Sequence, residues 1–188
     1  MNDKKKPMIF YGWIVLGLAV LAMLVAYSLR YNFSVFYVTI LDYFGWSRGA
    51  TAAGLSINLV VYALSTPIVG ALSDRVGIRR MVPIGAILLA LALAACSQIT
   101  AIWQFYLLIG VTAFGNCTMG YVPHVPVIAN WFPKRRGLTM GILSAGITAC
   151  ALIAPAIQYL ISTLGWQGTF LVLAGISAVI VAPLAAIF

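Results

Sequence analysis

Six long apolar runs, separated by short polar, glycine or proline segments, dominate the pattern of the chain. They predict helices over 8–41, 50–72, 82–99, 102–131, 138–164 and 167–188. A helix needs about 20 apolar residues to cross the hydrocarbon core of a bilayer, and each run is near that length or longer. The segments between the runs have no room for a strand-based domain. The pattern therefore predicts an all-α integral membrane protein with six transmembrane helices.

The composition excludes the main classes of water-soluble protein. Of the 188 residues, 63% are hydrophobic and 7% are charged, whereas a soluble domain carries about 25% charged residues. The same values exclude a disordered chain and a soluble enzyme. The three cysteines, Cys96, Cys117 and Cys150, lie far apart in apolar runs. We therefore expect packed, reduced thiols and neither a metal site nor a disulfide framework.

Positive charges mark one side of the predicted bundle. The formal net charge is +8, and nine of the eleven basic residues lie before the first run or in alternate connections between runs. They are Lys4, Lys5, Lys6, Arg75, Arg79, Arg80, Lys134, Arg135 and Arg136. Because cytoplasmic loops are rich in Lys and Arg, we expect a multi-pass protein of the cytoplasmic membrane with both termini in the cytoplasm. The charge then faces the lipid bilayer, and no nucleic-acid partner is expected.

The first run has an alternative interpretation as a signal peptide. Three lysines precede it, and Ala26-Tyr27-Ser28 offers a small-x-small cleavage site. The apolar region of a signal peptide is about 7–15 residues long, and this run is longer. Cleavage would also leave five spans with an orphaned topology. We therefore favour a retained first span.

Two prolines in the fourth run predict a break that borders a substrate cavity. Pro123 and Pro126 remove two amide donors from the helix. Irregular backbone at membrane depth survives only against protein or a watery cavity. Tyr121 and His124 flank the break, three residues apart and hence on one helix face. We take both as candidate cavity residues; the alternative for His124 is a hydrogen bond to a neighbouring helix.

Three further polar residues in the first and second runs extend this candidate set. A charge facing lipid costs on the order of 3 kcal/mol, so Arg30 either faces the bundle interior or extends towards the outer surface. Tyr31 follows it directly, and Asn58 is either a ligand or a helix–helix hydrogen bond. No Asp or Glu lies inside any of the six runs. A cavity lined by these residues therefore favours anions.

Small residues in the fifth run predict close helix packing. Gly137, Gly141 and Ala145 recur every four residues, which places them on one helix face. Such a stripe lets two helix backbones approach each other closely in lipid.

The loop between the second and third runs carries a recognisable motif, GALSDRVGIRR, at residues 70–80. Gly77 allows a tight turn, and Asp74 places an anion where it can meet an Arg or a helix N-terminus. This segment resembles the signature loop of the major facilitator superfamily, in which a glycine, Asp-Arg, a second glycine and a basic pair follow one another. The matching residues are Gly70, Asp74, Arg75, Gly77, Arg79 and Arg80. The resemblance implies that the loop controls conformational change and that Asp74 faces a helix of another half.

A second motif narrows the resemblance. WFPKRRGLTMGILSAG at 131–146 resembles the signature of the monocarboxylate transporter family and its bacterial oxalate/formate antiporter relatives. FGWSRGATAAGLSI at 44–57 and LGWQGTFLVLAG at 164–175 resemble the outer turns of the same family. The resemblance implies the N-terminal half of a two-half carrier, built of two nested three-helix repeats. The second half, with the family's substrate-anchoring arginine, is absent from the 188 residues.

The same resemblance supplies the expected function. It implies secondary active transport of small monocarboxylates such as lactate, pyruvate, formate or oxalate-like acids, by alternating access and coupled to a proton or to anion exchange. No nucleotide-binding loop, HExxH motif or Ser-His-Asp arrangement is present, so we expect no enzyme activity, no cofactor and no metal. The expected partners are the anion, a proton, the lipid bilayer, and the missing half or a second copy. Two alternatives are a half-size carrier acting as a homodimer and a membrane scaffold subunit that transports nothing.

Overall fold

The chain forms a helical bundle in a computed structural model that describes the backbone of residues 8–187 and the side chains of residues 12–179. No strand occurs among these residues. The elements are α1 (Met8–Tyr31), α2 (Phe33–Phe44), α3 (Arg48–Val76), α4 (Ile78–Cys96), α5 (Ile102–Met119), α6 (Tyr121–Trp131), α7 (Arg136–Ala149), a 3-10 turn (Cys150–Ile153) and α8 (Ala154–Ile187). An all-α membrane fold, as the sequence predicted, is the result.

Five helical stretches are long and apolar enough to cross a membrane. They are Gly12–Tyr31, Arg48–Val76, Ile78–Cys96, Ile102–Trp131 and Arg136–Val179. The last has 44 residues, about 66 Å at 1.5 Å per residue, which is twice the thickness of a bilayer core. Its backbone leaves the helical region at Gly165 (φ 72°, ψ 171°), and this turn divides it into two crossings. The bundle therefore has six transmembrane helices.

The first and fourth spans are each interrupted, whereas the sequence predicted continuous helices over 8–41 and 102–131. The first span changes from α1 to α2 at Asn32, and the fourth from α5 to α6 at Gly120. These two spans occupy the same position in the two three-helix repeats, and both repeats are therefore broken in their first helix.

Several helix ends lie beyond the predicted bounds because polar residues continue the helix past the apolar run. The helix α3 begins at Arg48, where the Ser47 hydroxyl accepts a hydrogen bond from the Ala50 N–H at 3.2 Å. This is a standard N-cap, and it stabilises the start of the helix. The helix α4 begins at Ile78, directly after the Gly77 turn, so its first turn carries two arginines that hydropathy alone excluded.

Aromatic contacts define the two ends of the bundle. Trp13 near the start of α1 packs edge-on against Phe132, with ring centroids 5.4 Å apart, so the chain start meets the basic 131–136 segment. At the other end, Phe44 stacks on Trp46 at 4.4 Å and contacts Trp166 at 5.6 Å. The two GW turns that the sequence assigned to the outer surface are thus in contact, and the basic and uncharged connections lie at opposite ends.

Small residues let the third span pack closely on the fourth. A side chain on Gly115 of α5 would lie 3.1 Å from Leu89 Cβ, and one on Gly85 of α4 would meet the Thr118 hydroxyl. This close approach is the usual device of helix association in lipid. The three cysteines are buried and free in the structure.

Candidate substrate-contacting site

Arg30 contacts the ring of Tyr62, which places the cation between the first and second spans. The guanidinium carbon lies 4.2 Å from the ring centroid, a cation–π distance, and the side chain is half-buried. Tyr62 lies 14 residues after Arg48 and 14 before Val76, at the middle of α3. The structure thus places Arg30 against the middle of a neighbouring helix.

A second tyrosine, Tyr27, connects this cation to the fourth span. Its hydroxyl lies 2.9 Å from the Tyr62 hydroxyl, and it accepts a hydrogen bond from the Tyr121 backbone N–H at 3.1 Å. The Tyr31 ring packs edge-on against the Tyr27 ring at 5.9 Å. The structure therefore brings Arg30, Tyr31 and Tyr121 together around two tyrosines that the sequence analysis did not select.

The break in the fourth span lies at Gly120, not between the two prolines. A side chain on Gly120 would meet the Asn116 carbonyl oxygen and the Tyr27 hydroxyl, so the close approach of these helices requires glycine. Pro123 is the third residue of α6, where a backbone N–H has no partner within the helix in any case. The proline therefore fits the start of a new helix, and the break precedes it.

His124 is fully buried, with 0% of its side chain exposed. Its Nδ1 lies 2.7 Å from the Gly120 carbonyl oxygen. Since a carbonyl oxygen only accepts, Nδ1 carries the proton and donates it to the carbonyl. The bond spans the first turn of α6, so His124 stabilises the backbone at the break. In the described half its ring lies in the protein interior, while the neighbouring Tyr121 is half-exposed.

Asn32 closes the other break. Its side-chain amide donates to the Ser28 carbonyl at 2.8 Å and to the Cys150 carbonyl at 3.0 Å. One asparagine thus bonds the end of α1 and joins it to the 3-10 turn that follows α7.

Two more asparagines lie in the interior between α3 and α5. Asn58 donates its amide to the Ile109 carbonyl at 3.1 Å, which is the helix–helix hydrogen bond that was one of its two interpretations. Asn116 has 0% exposure, and neither of its amide atoms has a hydrogen-bond partner among the described residues. Neither side chain contacts the Arg30 cluster by any hydrogen bond in the described part of the chain.

The loop at 70–80 has the predicted turn. Gly77 has φ 80°, a conformation that favours glycine, and its N–H donates to the Ser73 carbonyl at 3.0 Å. Asp74, Arg75, Arg79 and Arg80 are all exposed. The backbone turn that the motif predicted is present, and its charges face outward at the basic end.

The small-residue stripe lies on an exposed face of α7. Side chains on Gly137 and Gly141 would meet nothing within 4 Å, whereas one on Gly146 would lie 2.9 Å from Val20 Cγ1. Gly146 is therefore the glycine of α7 that packs closely on α1. Gly137, Gly141 and Ala145 are exposed among the described residues.

Tyr27 and Tyr62 were missed because apolar spans contain many aromatic residues. The one available signal was spacing, since Tyr27 precedes Arg30 by three residues and shares its helix face. For Tyr62 the sequence had no such signal, because its partner is on another helix.

Comparison with known proteins identifies relatives of the whole chain. Residues 10–188 match the family described as the Major Facilitator Superfamily. The chain is 28% identical over 173 residues to monocarboxylate transporter 13 of Rattus norvegicus, covering 92% of this chain and 40% of that protein. It is 30% identical over 167 residues to monocarboxylate transporter 2 of Mesocricetus auratus, covering 88% and 34%. The chain thus spans well under half the length of these relatives.

A solved structure has the same fold. It is a bacterial homologue of the human lysosomal transporter Spinster, in an inward-facing and unoccupied conformation, with a TM-score of 0.82 and 17% identity. The match covers 100% of this chain and 44% of the other.

Proposed function

The chain belongs to the Major Facilitator Superfamily, and from this premise we propose that it is the N-terminal six-helix half of a secondary carrier for small monocarboxylate anions. The relatives named above are monocarboxylate transporters, and this chain covers 40% and 34% of their lengths. In this proposal a second six-helix half completes the carrier, and the two halves rock about a site between them.

The observation that carries the proposal is Arg30. The cation is half-buried and lies 4.2 Å from the centre of the Tyr62 ring, beside the middle of α3. The three acidic residues of the chain are Asp3, Asp42 and Asp74, and none of them lies in the apolar middle of a span. A charge within a span is costly unless it faces a partner or a water-filled cavity. A carboxylate substrate supplies such a partner and binds the guanidinium in bidentate fashion.

The sidedness of the carrier follows from its charges in the same proposal. The exposed basic residues Arg75, Arg79, Arg80, Lys134, Arg135 and Arg136 share one end of the bundle, and cytoplasmic loops are rich in such residues. We place both termini in the cytoplasm and the two GW turns on the outside of the cytoplasmic membrane. Coupling is to a proton or to a counter-anion, and the two differ in their response to a pH gradient.

The experiment is uptake into proteoliposomes by the carrier that contains this chain. Labelled L-lactate, pyruvate and formate are supplied with and without a pH gradient, and then with internal unlabelled anion. Arg30→Gln should raise the half-saturation concentration about ten- to a hundredfold, because a hydrogen bond to a charged group contributes about 1.5–3 kcal/mol. Arg48→Gln is the matched control, since Arg48 is exposed at the outer start of α3, and it should leave uptake unchanged.

Three results would reject the proposal or its parts. Equal half-saturation concentrations for Arg30→Gln and Arg48→Gln would remove Arg30 from the site. Absence of monocarboxylate uptake by the folded carrier would reject the substrate class and favour a scaffold subunit. Uptake by vesicles whose only protein is the 188-residue chain would show that two copies act as a homodimer, and it would reject the carrier with two different halves.

A further inference from the structure

The guanidinium of Arg30 lies over the ring of Tyr62. The distance of 4.2 Å from the guanidinium carbon to the ring centroid is well inside the range of about 6 Å for a cation–π interaction. The ring contacts the guanidinium on one side, and no described residue accepts a hydrogen bond from the Arg30 N–H groups. Those N–H donors are the ones that bind a carboxylate in bidentate geometry.

The ring itself is held from its other end. The Tyr62 hydroxyl lies 2.9 Å from the Tyr27 hydroxyl, and Tyr27 accepts the Tyr121 N–H at 3.1 Å. The Tyr27 oxygen therefore has a fixed donor from α6 and a fixed neighbour from α3. Elements of the first, second and fourth spans thus set the orientation of the Tyr62 ring.

An arginine without such support is a poor binding group, because its long side chain loses rotamer entropy when it binds. A guanidinium already stacked in one orientation has lost part of that entropy before the anion arrives. The arrangement around Tyr62 has this effect on Arg30.

We propose that Tyr62 is a positioning residue for the substrate anion, whose ring holds the Arg30 guanidinium with its N–H edge free for a carboxylate and whose own orientation is fixed by Tyr27. The inference rests on the proposed function, since it needs Arg30 to bind the anion. It goes beyond that function because Tyr62 acts through Arg30 and makes no contact with substrate.

A double-mutant cycle on uptake tests the proposal in the carrier that contains this chain. Tyr62→Leu should raise the half-saturation concentration for L-lactate about three- to tenfold, with the maximal rate changed less, because a desolvated cation–π contact is lost. In an Arg30→Met background, Tyr62→Leu should have no further effect, since no guanidinium remains to position. Tyr62→Phe keeps the ring but loses the hydroxyl held by Tyr27, so it should raise the half-saturation concentration less than Tyr62→Leu does, and this smaller rise should also disappear in the Arg30→Met background.

The matched control is Tyr106→Phe. Its hydroxyl donates to the Ala50 carbonyl at 2.8 Å, so this variant also loses an interhelical hydrogen bond of a tyrosine, but away from Arg30. It should leave the half-saturation concentration unchanged. An equal effect of Tyr62→Leu with and without Arg30, or none in either background, would overturn the proposal.

A second measurement needs no substrate and separates this inference from the proposed function. Phenylglyoxal modifies accessible guanidinium groups, and peptide mass spectrometry reports the rate at Arg30. Removing the ring uncovers the guanidinium, so Tyr62→Leu should react faster than wild type, and Tyr62→Phe, which keeps the ring but loses its anchor, should react at a rate between the two. If no monocarboxylate is transported while this rate changes as stated, the proposed function fails and the role of Tyr62 towards Arg30 stands. Equal modification rates in all three proteins would overturn that role. This test does not depend on uptake, so it also applies if Tyr62→Leu does not transport.

Discussion

The hydroxyl oxygen of Tyr27 lies 3.1 Å from the backbone nitrogen of Tyr121, 94 residues later in the chain. That nitrogen is the first of α6, and the first N–H groups of a helix have no acceptor within it. In the hydrocarbon region no water replaces the missing acceptor. Tyr27 therefore supplies the hydrogen bond that the break at Gly120 removes, and this contact joins the first and fourth spans.

Gly120→Ala tests how tightly this contact is built. The new methyl group would meet the Asn116 carbonyl and the Tyr27 hydroxyl, so we expect a loss of about 1–3 kcal/mol in the free energy of unfolding from overpacking. Gly110→Ala is the control in the same span, because its methyl would lie 3.7 Å from Val61 Cγ2, an ordinary contact. Thermal unfolding in detergent measures both. Equal melting temperatures would show that the helices do not approach this closely.

Gly146→Ala tests the close packing of α7 on α1. Its methyl would lie 2.9 Å from Val20 Cγ1, so the free energy of unfolding should fall by about 1–3 kcal/mol. The melting temperature should fall with it. The double variant Gly146→Ala, Val20→Ala should recover part of this loss, because the smaller partner makes room. If the stability losses of the two single variants simply add in the double variant, Val20 does not contact position 146.

The contrast between Gly146 and the predicted stripe shows what an apolar sequence leaves open. In a soluble helix the hydrophobic face identifies the core, but in lipid both the core and the outer face are apolar. Spacing then finds small residues on one face, as it did for Gly137 and Gly141, without showing which partner the face meets. The contact between Tyr27 and Tyr62 was hidden for the same reason, because it depends on the relative rotation of two uniformly apolar helices.

Features fixed by local chemistry were predictable. The turn at Gly77 follows from a glycine between two polar helix ends, and its φ of 80° agrees. The length of the apolar runs predicted the number of crossings. The break in the fourth span was predicted from Pro123 and Pro126 but lies earlier, at Gly120. Pro123 falls in the first turn of the new helix, where a proline removes no hydrogen bond.

Single-cysteine labelling tests the orientation of the bundle. In a background without native cysteines, single cysteines that replace Ser47 or Thr100 should react with an impermeant thiol reagent from outside intact cells. Cysteines replacing Val76 and Lys134 should react only after permeabilisation, since they flank the basic loops. Labelling of a cysteine at position 134 from outside intact cells would show that the orientation is the reverse of the predicted one.

His124→Asn and His124→Leu separate a structural role of this histidine from a role in binding. An asparagine amide can replace Nδ1–H as the donor to the Gly120 carbonyl, whereas leucine leaves that carbonyl without its bond. We expect His124→Leu to lose about 1–3 kcal/mol of stability and His124→Asn to lose less, as measured by thermal unfolding. The half-saturation concentration for L-lactate then distinguishes the two predictions from the sequence: a rise in His124→Asn with retained stability indicates a cavity residue, and no change indicates a structural one.

Asp74→Asn tests the loop that the motif assigns to conformational control. Asp74 is exposed in the last turn of α3, where the helix dipole disfavours a negative charge by about 0.3–1 kcal/mol. The stability of α3 therefore does not explain an acidic residue there. The resemblance implies another reason, namely that Asp74 faces the N-terminus of a helix in the second half. Asp74→Asn should then lower the maximal uptake rate severalfold while the half-saturation concentration for L-lactate stays within about twofold, because at most about 1 kcal/mol of interaction between halves is lost. Arg75→Gln, one residue further along the same exposed turn, shows whether any loop charge has this effect. An unchanged rate in Asp74→Asn would indicate a solvated loop residue, and a large rise in half-saturation concentration at unchanged rate would contradict both interpretations.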